Sequence, residues 1–212
     1  CGTCYSCRRG MVNCCVRNET MGVQREGAFS DYLTMPVGRL YDGQGIDPKE
    51  LALIEPFCIS CHGVSRASVK PGDKVLVFGA GAINESRERL DAFVQEITDG
   101  DGFDVTVEAV GAPSTFLGCV QAAASRGRAV VIGVAKHSAD FNFLELQRKE
   151  LEMYGSRAAT AADFAAAMKL VKDGFVDLKK LISRTYPAGS AAEAFRDLDQ
   201  NYGEIIKAEF EF

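Results

Sequence analysis

Between residues 69 and 157 short apolar runs alternate with longer segments whose apolar positions recur three and four residues apart. Lys74-Val75-Leu76-Val77-Phe78 is a β-branched run set between Val69-Lys70-Pro71-Gly72-Asp73 and Gly79, which predicts a buried strand after a turn. Glu85 to Ile97 predicts a helix, with Asp99-Gly100 as its stop. Strands are predicted at Phe103–Ala109 and Ala129–Ile132, with a helix over Ser114–Ser125 between them. A helix near Leu144–Glu150 and a short strand near Met153–Tyr154 follow. This alternation predicts a parallel sheet with crossover helices, an α/β fold. Outside that block, 56–68 reads as a packed helix, and 161–173 as an Ala-rich amphipathic helix ended by Gly174.

Composition narrows the classes. The 212 residues are 47% hydrophobic, ample for one large or two small domains. The net charge is −5, with acids and bases intermixed and no basic stripe, which argues against nucleic acid as a partner. No apolar stretch reaches the length of a membrane span, and the run at Cys1 does not read as an export signal. Of the eight cysteines, five lie in the first fifteen residues: Cys1, Cys4, Cys7, Cys14 and Cys15. Such clustering without an export signal reads as metal binding in a reducing compartment, so a cytoplasmic location is expected.

Cys1, Cys4, Cys7 and Cys15 have the spacing C-x2-C-x2-C-x7-C. Four thiolates can close a tetrahedral shell around zinc and leave no open position, which makes such a site structural. An iron–sulfur cluster and reduced, unliganded thiols are the rival readings. Cys14 is a bystander. Directly after the strand at 74–78, Gly79-Ala80-Gly81-Ala82-Ile83 supplies the first two glycines of a dinucleotide-binding turn, where backbone must approach a pyrophosphate at a helix N-terminus. Asn84 stands in place of the third glycine. Cys58-Ile59-Ser60-Cys61-His62 has the pattern of a haem attachment site, but it sits in a segment with helical apolar spacing and no export context. His62 therefore reads as a helix-packing histidine.

The run Cys1-Gly2-Thr3-Cys4-Tyr5-Ser6-Cys7, with Cys14-Cys15, resembles the structural-zinc lobe of the zinc-containing medium-chain alcohol and polyol dehydrogenases. Gly22-Val23 and Gly27-Ala28-Phe29-Ser30-Asp31-Tyr32 resemble the strand-turn-strand passage after that lobe, and Ala52-Leu53-Ile54-Glu55-Pro56 the route into the cofactor domain. Asp104–Gly111 and Gly127–Val134 resemble the fourth and fifth Rossmann strands, and Lys149-Glu150 with Gly155-Ser156-Arg157 the last one. Ala191–Phe195 through Lys207 resembles the return to the catalytic domain. The nearest branch is that of the galactonate, idonate and sorbitol dehydrogenases.

The resemblance implies a partial GroES-like β domain with a structural-zinc lobe, at 1–56 and 158–212, and a Rossmann-type dinucleotide-binding domain at 57–157. It implies structural zinc at Cys1, Cys4, Cys7 and Cys15, and NAD or NADP at Gly79, Ala80, Gly81, Ala82, Ile83, Val110, Gly111, Gly133, Val134, Ser156 and Arg157. Glu55 is either an acid at a helix start, complementing the dipole, or the glutamate that faces the catalytic zinc in the polyol branch. The implied reaction is hydride transfer from a secondary alcohol of a polyol or sugar acid to NAD(P), by a homodimer or homotetramer. Zinc-free quinone-type reductases are disfavoured, because they generally lack the four-cysteine lobe.

Three departures stand against this likeness. The family's catalytic-zinc cysteine and Gly-His-Glu ligand motif, which precede the lobe, are not in this chain. After Ile83 the sequence passes to what resembles a stretch beyond the second strand, and Leu90-Asp91 reads as a further join that skips the third. Four strands are expected where the fold uses six. The chain by itself is therefore expected not to turn over, and the alternative is a non-catalytic, zinc-clipped dinucleotide-binding module.

Overall fold

The computed structural model describes residues 1–79, 87–201 and 203–212. The chain divides into two compact units, Cys1–Cys58 with Ala158–Lys179, and Ile59–Arg157 with Lys180–Phe212. Residues 180–212 thus group with the sheet-bearing unit. Among the described residues no helix is long and apolar enough to cross a membrane.

The first unit opens with a single helical turn, α1 (Tyr5–Arg8), and a 3-10 turn at Val12–Cys14. Residues 16–46 carry one isolated bridge, Met21 to Arg25, and a 3-10 turn at Val37–Arg39. The strand-turn-strand expected at 22–32 is not formed, because these backbone groups meet no partner strand among the described residues. Helix α2 (Pro48–Ala67) follows and contributes its first half to this unit. It starts well before the expected residue 56 and carries Pro56 in its interior. The other helix here is Ala161–Lys172, closed at its start by a reciprocal pair of bonds between Thr160 and Asp163. Tyr41 stacks on Phe164 of that helix (4.8 Å, 3°), and the Glu50 carboxyl accepts from the Leu178 amide at 3.2 Å.

In the second unit four strands form one parallel sheet: β1 (Val75–Phe78), β2 (Phe103–Glu108), β3 (Ala123–Val131) and β4 (Glu152–Gly155), in the spatial order β1-β2-β3-β4. The crossovers carry α3 (Arg87–Thr98), α4 (Pro113–Ala122) and α5 (Leu144–Lys149). The backbone passes through Leu90-Asp91 as uninterrupted helix. A complete doubly wound sheet has the order 3-2-1-4-5-6. The observed order is that of its 1-4-5-6 side, as the four-strand expectation requires.

Period-two alternation sorts the side chains. Val105, Val107 and Val130 pack with Ala67 at the end of α2, and Ile132 and Tyr154 lie against them. On the other face Val120, Ala129 and Leu151 form a second cluster, and Leu90, Phe103 and Ala122 a third, which Leu76 and Phe78 join; Phe103 departs from the alternation because the β2–β3 register shifts between it and Val105. Val75 and Val77 point the opposite way from Leu76 and Phe78, and are 39% and 53% exposed. Arg128 ties α2 to the sheet: its guanidinium donates to the Ala67 carbonyl (2.9 Å) and to Asp73 (2.7 Å). The helix expected to Ser125 ends at Ala122, because the next residues pair with β2. That pairing shifts register before Arg128, where Arg126 takes a φ of 60° ahead of Gly127. The tail forms a further βαβ pair, β5 (Ile182–Pro187) parallel to β6 (Lys207–Glu211), around a helix at Ala191–Gln200.

Candidate functional site

Two places carry the chemistry. The first is the thiol cluster. The Sγ atoms of Cys1, Cys4, Cys7 and Cys15 all lie within 4.8 Å of one another, and Cys1 and Cys7 are 4.0 Å apart. A tetrahedral zinc with Zn–S bonds of about 2.3 Å sets its sulfurs roughly 3.8 Å apart, so the four fit that ion with small adjustments. Gly2 and Gly10, at φ 74° and 77°, make the reversals that bring the thiols together. None of the four is in a disulfide. Backbone amides of Cys7 and Val16 hold the Cys4 thiol down to about 6, whereas sharing with Cys4 pushes Cys7 up. Cys14 is exposed and stands outside the cluster.

The second is the carboxyl end of the parallel sheet, where ligands bind in open α/β folds. Gly79 follows β1 directly and is half-buried. Ala80, Gly81, Ala82 and Ile83 lie outside the described residues. After β2 come Val110, 48% exposed, and Gly111, at φ 84°. After β3 come Gly133 and the exposed Val134. After β4 come Ser156, whose hydroxyl is buried with no partner, and the exposed Arg157. The sheet therefore brings Gly79, Val110, Gly111, Gly133, Val134 and Ser156 to one end of the second unit. An orphaned buried hydroxyl invites a ligand or water partner, and glycines at these turns leave room for close backbone approach.

One residue that sequence reasoning did not single out organises this end. Glu108, the last residue of β2, is 1% exposed. Its Oε1 accepts from the Val110 amide (3.0 Å) and the Gly111 amide (2.8 Å), and the Thr115 hydroxyl lies 2.6 Å away. A carboxyl group inside the run Val105-Thr106-Val107-Glu108-Ala109 was the signal available, since burial of such a group requires dedicated partners.

Glu55 lies in the interior of α2, exposed, so the helix-start reading does not hold. Its carbonyl accepts from the Cys58 thiol at 2.8 Å. Among the described residues the four lobe cysteines are the one group with metal-site spacing, so Glu55 has no companion ligands there. Cys58, Cys61 and His62 share the same helix, and Cys58 is fully buried, a packing role rather than a haem attachment.

Residues 63–173 match the family described as zinc-binding dehydrogenase. The chain is 31% identical to L-galactonate-5-dehydrogenase of Escherichia coli strain K12, with 100% of this chain and 73% of that protein covered. The alignment spans 249 positions, more than the 212 residues here, so the relative carries segments that this chain lacks. Identity is 30% to 2-dehydro-3-deoxy-L-galactonate 5-dehydrogenase of Pseudoalteromonas atlantica, over 95% of this chain and 70% of that one. Among solved structures, L-idonate 5-dehydrogenase of E. coli superposes with a TM-score of 0.82 at 21% identity, covering 100% of this chain and 72% of its own. An alcohol dehydrogenase of E. coli CFT073, solved with NADH, gives 0.86 at 22%, over 98% and 73%. These likenesses carry the fold.

Proposed function

The chain belongs to the zinc-binding dehydrogenase family, in its polyol and sugar-acid branch, and from that premise we propose how its residues serve hydride transfer between a secondary alcohol and NAD or NADP. The observation that carries the reading is the convergence of Gly79, Val110, Gly111, Gly133, Val134 and Ser156 at the carboxyl ends of parallel strands. In this sheet type the pyrophosphate sits at the first βα turn, and the adenosine ribose is held from the strand on the other side of β1. The ends of β2, β3 and β4 are then left for the nicotinamide half. Gly79 and Gly81 admit the pyrophosphate; the turns after β2 and β3 and the Ser156 hydroxyl orient the ring. When bound, the nicotinamide accepts or returns the hydride.

The lobe cysteines hold a structural zinc in this reading. Glu55, without companion ligands among the described residues, does not make a catalytic zinc site by itself. Residues 1–56 and 158–212 are proposed as the GroES-like portion, and 57–157 as the dinucleotide-binding portion. The relatives' names point to L-galactonate and 2-dehydro-3-deoxy-L-galactonate as the first substrates to try.

The test is a titration of the purified, zinc-loaded chain with NADH and with NADPH, read by reduced-nicotinamide fluorescence. Saturable binding of one or both is expected. Failure to bind either overturns the dinucleotide reading, and turnover of those sugar acids by residues 1–212 alone overturns the expectation that further zinc ligands are required.

A further inference from the structure

The Glu108 carboxyl takes no part in the hydride chemistry above, yet it is one of the most deeply buried side chains of the chain, at 1% exposure. We propose that Glu108 is a positioning residue that latches the turns after β2 and β3 into one rigid surface for the nicotinamide half of the dinucleotide. The inference rests on the dinucleotide reading.

Four backbone donors from two separate turns end on this one residue. Its carbonyl accepts from the Ile132 amide at 2.8 Å and the Gly133 amide at 3.1 Å. Its Oε1 accepts from Val110 and Gly111, at 3.0 and 2.8 Å. The Thr115 hydroxyl shares its single hydrogen between that oxygen and the Ala112 carbonyl (2.9 Å), which anchors the first turn of α4 to the same point.

The two turns also touch without a side chain between them. A Cβ added at Gly133 would strike the Gly111 amide nitrogen and Glu108 Oε2. A Cβ added at Gly111 would strike the backbone of Val134. Neither turn can shift without displacing the other, and both are held to Glu108. For burial alone an apolar side chain of similar size would serve the strand end better, since a buried carboxyl costs free energy unless it is hydrogen-bonded. What the carboxyl adds is the latch. It also consumes the amides that an anion would need, so this surface is not built for phosphate; it offers Val110 and Val134, which suits an uncharged ring edge.

The experiment compares NADH with ADP-ribose, which shares everything but the nicotinamide, on the zinc-loaded chain. Glu108→Ala leaves the Val110 and Gly111 amides without their acceptor. It is expected to lower NADH affinity about tenfold while ADP-ribose affinity holds within about twofold. Glu108→Gln keeps an acceptor oxygen and is expected to restore NADH to within about threefold of the unmodified chain. If Glu108→Ala does not fold, Thr115→Val, which removes only the hydroxyl contact, is expected to produce a selective NADH loss of about threefold. Equal losses for both ligands, or no loss for either, overturn the proposal. An unmodified chain that binds neither ligand overturns the dinucleotide reading first, and this inference with it.

Discussion

The sheet-bearing unit and the cysteine-bearing unit reach order by different routes. In the first, three clusters of buried side chains line the two faces of the sheet, and Val105, Val130 and Ala122 are completely shielded from solvent. In the second, residues 16–46 hold almost no regular structure, and Tyr32, Val37 and Val16 are 93%, 83% and 79% exposed. Its lobe is gathered around four thiols instead. Burial can order a segment only where apolar positions recur often enough to cover one another. Where they do not, a metal ion can do the same work, because its binding energy becomes folding energy.

The largest effect expected from this contrast comes from removing zinc. Structural zinc sites contribute roughly 10–16 kcal/mol of apparent binding free energy. Chelation, or Cys4→Ser, is expected to abolish protection from hydrogen exchange at the Arg8, Gly10 and Cys15 amides, which are bonded within the lobe. Protection in β2 and β3 is expected to persist. Simultaneous loss in both places would break the contrast.

A core truncation should do the reverse. Phe103 is 3% exposed and packs with Leu90 and Ala122. Phe103→Ala is expected to cost about 3–5 kcal/mol in urea unfolding of the sheet, with the zinc content of the purified protein unchanged. A variant that loses zinc along with stability would show that the lobe depends on the sheet.

The smallest effect sharpens the picture within the sheet unit. Asp73 is held below the usual carboxylate range, chiefly by the Lys70 amide and then by Arg128. A depressed carboxyl contributes stability that is complete above its unfolded pKa, near 3.8, and is lost as pH falls through its lower folded value. Acid unfolding of the sheet should therefore lose part of its steepness below pH 4 in Asp73→Asn. Identical acid profiles for the two proteins would remove the Asp73–Arg128 pair from the account.

Much of the fold was legible in the chain. The run at 74–78, the strand at 103–109 and the Ala-rich helix at 161–173 emerge within a few residues of their observed limits, the first from its β-branched residues between turn signals and the other two from periods that suit one element type. The gathering of Cys1, Cys4, Cys7 and Cys15 was legible for a similar reason, since close cysteine spacing is a local property. Glu55 was misplaced relative to its helix because Pro56 reads as a start signal, whereas the structure tolerates it inside α2. The beginning of β3 was hidden in what looked like helix, since only the pairing of Phe103 with Ala123 makes that stretch a strand.

By itself, then, the sequence determined the kinds and order of the elements between residues 69 and 157, the cysteine constellation and the glycines at the strand ends. These follow from side-chain chemistry and backbone freedom within a few residues. Tertiary structure alone decided that the tail pairs β5 with β6 and that Glu108 joins two turns. Each depends on which distant backbone group lies opposite a given hydrogen-bond donor or acceptor. No local pattern encodes that choice; the closing of the whole chain makes it.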